Sequence, residues 1–183
     1  MMPDVLARWP WWAFVIACLF LAAGTAAGIR WIKANDVPLA GTGNPRSAMI
    51  EWKMKPADSK AVVESWKNVM PVAYKGLAID TFFFIPFYST LFAFLCFAAA
   101  RANAPESTMR TFLAAMAWCG WVAGAFDLIE NTGIYVQERL HWYFVAAPTA
   151  CMAWMKWALI AIVPLTALVG FVAAALLRRA SPG

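Results

Sequence analysis

The chain of 183 residues contains one histidine, His141, and four cysteines, none of them in a CxxC pair. A single histidine excludes bis-histidine haem within the chain, and zinc centres draw on several His or Cys ligands. No metal and no cofactor is therefore expected. Cys18, Cys96, Cys119 and Cys151 fall in or beside apolar stretches and read as small buried packing residues, not disulfide partners. No nucleophile–histidine arrangement is evident, which disfavours hydrolysis by a covalent route. Charge is scarce as well: 14% of residues are Asp, Glu, Lys or Arg, against roughly 25% in soluble domains. Internal repeats, low-complexity tracts and a polar stretch long enough for a soluble catalytic domain are all missing.

What is present is apolar, at 63% of residues with a mean hydropathy of +0.63, and it comes in long blocks. The blocks run over about 11–29, 77–100, 111–134 and 151–177. Each approaches the ~20 residues that cross a ~30 Å hydrocarbon core. Without water, backbone groups must pair within the segment, so the spans must be helices. The expectation is an all-α integral membrane four-helix bundle, one domain over 1–183. Arg8, an apolar run and small residues from Ala22 to Ala27 also fit a cleaved signal peptide. Ile29, Trp31 and Ile32 prolong the apolar character, and Trp11 and Trp12 suit an interface anchor, which favours a retained helix.

The one sizeable loop covers 30–76. Its first half, through Gly41-Thr42-Gly43-Asn44-Pro45, is turn-like. In the second half Asp58 or Ser59 can cap a helix over about 58–70, stopped by Pro71. Val62, Val63, Trp66, Val69 and Met70 share one face of it, as in an amphipathic helix that lies on the membrane surface or caps the bundle.

The net charge of +5 comes from loops and helix ends, so it reads as contact with anionic lipid headgroups; no nucleic-acid partner is expected. A raw count of Lys and Arg favours the long-loop side as the inner one. Arg8, the short basic hairpin Arg101–Arg110 and the tail with Arg178 and Arg179 argue instead for cytoplasmic termini in a bacterial inner membrane.

Ionisable residues inside spans are costly and each is a functional candidate. Asp80 lies about 5 Å inside its span, Asp127 and Glu130 roughly 6 to 11 Å from the end of theirs, and Lys156 one and a half turns into the fourth. All four share a layer in the half of the bilayer facing the long loop. Asp127, Glu130 and Asn131 form one stripe, led by the small pair Gly120 and Gly124 that permits close helix approach. Pro86 frees the Phe82 carbonyl near Asp80, and Thr81 and Tyr88 add hydroxyls. A polar pocket, open to the long-loop side and lidded by the amphipathic helix, is expected. Asp127, Glu130 and Asp80 are the candidate catalytic residues, with Asn131, Tyr88, Lys156 and Thr81 in binding roles. The plainer alternative is an ion-pair network that sets helix register, with Lys156 snorkelling to the headgroups. Phe82, Phe83, Phe84 and Phe87 around Asp80 suit an aromatic cage for a cation or ordinary packing.

The stretch from Met49-Ile50-Glu51 to Leu77-Ala78-Ile79-Asp80-Thr81-Phe82-Phe83-Phe84-Ile85-Pro86-Phe87-Tyr88, then Gly124-Ala125-Phe126-Asp127-Leu128-Ile129-Glu130-Asn131, resembles a group of small bacterial four-span membrane proteins. The resemblance covers about residues 48–135. It implies a four-helix fold with these acidic positions and brings no activity with it.

Three function classes stay open. One is a binding or acid/base site for an amphipathic or lipid-like molecule; as an enzyme it would run proton-driven isomerisation or cyclisation. Another is an accessory or assembly subunit of a larger membrane complex, docked through the long loop. The last is a proton- or cation-coupled transporter, which with so few spans would need a homo-oligomer.

Overall fold

The computed structural model describes residues 6, 8–44 and 49–180, and all regular structure among them is helical. Helix α1 spans Trp11–Asn35 and is followed by a 3-10 turn, Val37–Thr42. Short helix α2 covers Pro56–Ser65 and α3 covers Met70–Ile79. A π turn, Asp80–Phe84, joins α3 to α4, Ile85–Ala102. Helix α5 spans Thr108–Leu140 and α6 spans Ala146–Ala180.

Among the described residues four helical stretches are long and apolar enough to cross a membrane: Trp11–Asn35, Met70–Ala102, Thr108–Leu140 and Tyr143–Arg179. Each exceeds its expected block by several residues, because polar positions at the ends stay helical. The burial pattern is inverted relative to a water-soluble protein. Asp127 and Glu130 are 2% and 1% exposed, whereas Leu19, Phe20 and Leu168 are 65%, 66% and 60% exposed. Such a surface suits an apolar solvent, and the four helices suggest a multi-pass helical membrane protein.

Pro71 corrects the expected boundary. It sits in the first turn of α3, where its missing N–H costs no hydrogen bond and its fixed φ suits helix entry. The expected 58–70 helix therefore begins at Pro56, with Asp58 in its first turn instead of at the cap, and ends at Ser65. Its apolar face packs as the spacing requires: Val62, Val63 and Trp66 are buried with Leu39, Ile50, Ala73 and Ile134 at the long-loop end of the bundle. Ser59, also buried, donates to Gln137 of α5.

Helices α4, α5 and α6 all pack on one another, whereas α1 rests mainly on the second span. The close approach of α4 and α5 follows from Gly120, where a Cβ would meet the Ala93 nitrogen at 2.8 Å and the Ser89 carbonyl oxygen at 2.9 Å. At the opposite end, Asn103 Nδ2 donates to the Ala99 and Gly170 carbonyls at 2.8 and 3.1 Å. Arg101 donates to the Trp9 carbonyl and lies over the Trp11 ring, tying α1 to the end of α4. Ser107 caps α5 by accepting from the Arg110 N–H at 3.2 Å. That helix ends at His141, which takes a left-handed φ of 58°.

All four cysteines are free. Cys96 is buried, but Cys151 is exposed on the bundle surface, which corrects its reading as an interior packing residue.

Candidate functional site

The second span carries the local irregularity that builds the site. Proline at position 86 has no N–H and its ring crowds the preceding turn. The helix widens ahead of it into the π turn Asp80–Phe84, where the Ile85 N–H donates to the Asp80 carbonyl five residues back. Such turns redirect side chains within an otherwise regular helix.

Three long helices then bring the expected residues together. Lys156 of α6 is 5% exposed and does not snorkel. Its Nζ lies 3.1 Å from Asp127 Oδ1, 2.7 Å from Glu130 Oε2 and 3.0 Å from Glu51 Oε2. The other Asp127 oxygen accepts from the Tyr88 hydroxyl at 2.7 Å. Asn131 Nδ2 donates to Asp80 Oδ2 at 2.8 Å and to Thr81 Oγ1 at 3.0 Å. The stripe on α5 and the shared layer are as expected. The depth is greater: Asp80, Glu130 and Lys156 each lie ten residues, or about 15 Å, from the long-loop end of their helices, and Asp127 about 20 Å.

These groups wall a cavity of about 450 Å³ that is otherwise lined by apolar and aromatic side chains such as Ile29, Leu77, Phe84, Phe92 and Ile160. Its size falls in the range of small-molecule sites. Asp80, Tyr88, Asp127, Glu130, Asn131 and Lys156 all line it. Thr81 is one layer out, on a lateral groove that it shares with Phe82 and Tyr135. The aromatic group divides in the same way: Phe84 lines the cavity, Phe83 and Phe87 pack on each other, and Phe82 is 82% exposed. Helix α2 does not lid the cavity. It lines a polar groove at the bundle end instead, through Lys60, Val63 and Glu64.

Two acidic residues of the cavity lie outside the expected set. Glu51 belongs to the loop and is 4% exposed. Buried Ile50 holds it on one side. On the other, Trp52 packs on Trp154 and Trp157 of α6 at 5.1 and 6.2 Å between ring centroids. The alternation Ile50-Glu51-Trp52, an acid between two large apolar residues, was its available signal. Glu138, 3% exposed, continues the Asp127–Asn131 stripe by two turns. Ending the third span at Ile134 hid it. Its Oε2 has no hydrogen-bond partner among the described residues, and it lines both the cavity and the polar end groove.

Chemically, Glu51, Asp80, Asp127, Glu130 and Glu138 share the cavity lining with one ammonium among the described residues, that of Lys156. A cation or protons can offset this excess of acid. No group of His, Cys, Asp and Glu among the described residues is arranged to hold a metal ion. No protein-family model matches the chain, and neither a curated protein nor a solved structure matches it.

Proposed function

We propose that this protein binds an amphipathic or lipid-like molecule in the cavity, with the carboxylate layer as counter-charge or as an acid/base group. The observation that carries this reading is the combination of a 450 Å³, largely apolar cavity with acidic groups concentrated on its wall. A network serving helix register alone would be filled with packed side chains, because polar groups in a dry interior are costly and voids forfeit contacts. Asp127 and Glu130 are the groups to hold or move a proton, Tyr88 and Asn131 orient them, and Asp80 supports. If chemistry follows binding, proton-driven isomerisation or cyclisation suits this set.

The proposed location is a bacterial inner membrane with both termini cytoplasmic. Its support is Arg8, Arg101, Arg110, Arg178 and Arg179 at one end of the bundle, together with the resemblance to bacterial four-span proteins.

Native mass spectrometry of mildly solubilised protein, beside an Asp127→Asn variant, tests the reading. A discrete bound molecule, lost in the variant, is the expected result. A co-purifying protein retained by both forms, with no small molecule, would make this an accessory subunit and the carboxylate layer structural.

A further inference from the structure

The carboxyl groups of the cavity are not equivalent. Glu51, Asp127 and Glu130 surround Lys156 within 3.1 Å, so each already has a cationic partner. Asp80 has none: among the described residues its side chain is bonded by the neutral Asn131 amide and makes no ion pair. Glu138 is 3% exposed and its Oε2 is without a partner among the described residues. Seven residues of helix separate Glu138 from Asn131, which places this carboxyl about 10 Å towards the long-loop end of the same cavity. Among the described residues Lys156 is the one basic residue of the lining, and it already contacts three carboxylates.

Those observations discriminate between head groups. An anionic amphiphile would meet two carboxyls that lack a cationic partner, in a low-dielectric wall with no free cation among the described residues to receive it, a repulsive arrangement. A neutral head would leave the carboxyls as they are. A protonated amine would supply the missing donor and charge, while its chain occupies the apolar remainder. Phe84, Tyr88 and Phe92 line the same space, and aromatic rings attract a cation. Glu138 also borders the polar end groove, so one carboxyl is common to that groove and to the cavity that holds Asp80.

Resting on the amphiphile-binding reading above, we infer that the ligand is a lipophilic amine, its ammonium held at Asp80 with Glu138 as the second acidic contact. Lys156 and its three carboxylates form the rigid floor against which that head group is placed.

Protein in nanodiscs of zwitterionic lipid is loaded with dodecylamine or with dodecanol at equal mole fraction, and bound probe is counted by native mass spectrometry. The amine should show at least tenfold higher occupancy than the alcohol. Asp80→Asn and Glu138→Gln, each with an unchanged unfolding midpoint, should each abolish most of that preference and leave dodecanol binding alone. Equal binding of both probes would overturn the amine assignment and keep the amphiphile site. A preference for the amine that both variants retain would place the head group elsewhere and overturn the assignment too. Binding of neither probe would overturn both. The wild-type comparison of amine with alcohol needs no variant to fold.

Discussion

Lys156 and Glu51 meet at 3.0 Å across 105 residues of chain, so a loop side chain completes an ion cluster whose other members all belong to long apolar helices. Trp52, stacked beside Trp157, holds that loop turn against α6.

Charge exchange across this contact is the first test. Glu51→Lys breaks the 3.0 Å ion pair and sets two ammoniums side by side, and should lower the unfolding midpoint. The double exchange Glu51→Lys with Lys156→Glu keeps one base among the same number of acids and should recover part of the loss. Thermal unfolding in mild detergent reads both; additive losses would mean that the loop does not reach the cluster.

The two kinds of carboxyl should respond differently to neutralisation. Lys156→Met strands Glu51, Asp127 and Glu130 together and should cost about 3–5 kcal/mol. Asp80→Asn removes no ion pair and should change stability by less than about 1 kcal/mol. Equal losses in the unfolding midpoint would contradict the difference between the ion-paired carboxyls and Asp80.

Tyr88→Phe deletes the hydroxyl that donates to Asp127 at 2.7 Å while leaving the ring contacts with Phe84 and Phe92. An acceptor left short in a buried site costs about 1–3 kcal/mol. A loss in that range with an unchanged helical circular dichroism spectrum is expected; an unaltered midpoint would mean that the bond is not formed.

At the helix crossing, Gly120→Ala should destabilise more than Gly124→Ala. The new Cβ at 120 would press on two main-chain atoms, Ala93 N at 2.8 Å and the Ser89 carbonyl oxygen at 2.9 Å, whereas at 124 it meets Ser89 Cβ at 2.9 Å and Oγ at 3.1 Å, of which the Oγ can rotate away. Overpacking of the first kind costs about 1–3 kcal/mol. Parallel melting curves of the two variants settle the order, and a reversed order would contradict the close approach of α4 and α5 at Gly120.

Much of this arrangement was legible in the residues, and where it was not the causes are physical. Apolar block length reveals spans because the hydrocarbon core demands it, and the i, i+3, i+4 stripe Asp127–Glu130–Asn131 follows from helix geometry alone. Helix ends extend past the apolar blocks because hydropathy tracks lipid contact, while Met70 to Gly76 and Tyr135 to Leu140 remain helical outside the most apolar stretches. Pro71 stops a helix only where an N–H is needed, and in the first turn none is. The alternation Ile50-Glu51-Trp52 marks Glu51 locally, but its partner is chosen by loop docking, a long-range event that no local pattern encodes.

Occupation of the cavity by an amphipathic molecule is tested most directly by Ile160→Trp. Ile160 lines the cavity and is none of the charged residues, so the bulkier ring competes for the space without removing a charge. Native mass spectrometry of the wild type should show a bound molecule that Ile160→Trp excludes while its unfolding midpoint holds or rises. A wild type that carries nothing, or a variant that keeps the same mass, would contradict the proposed function.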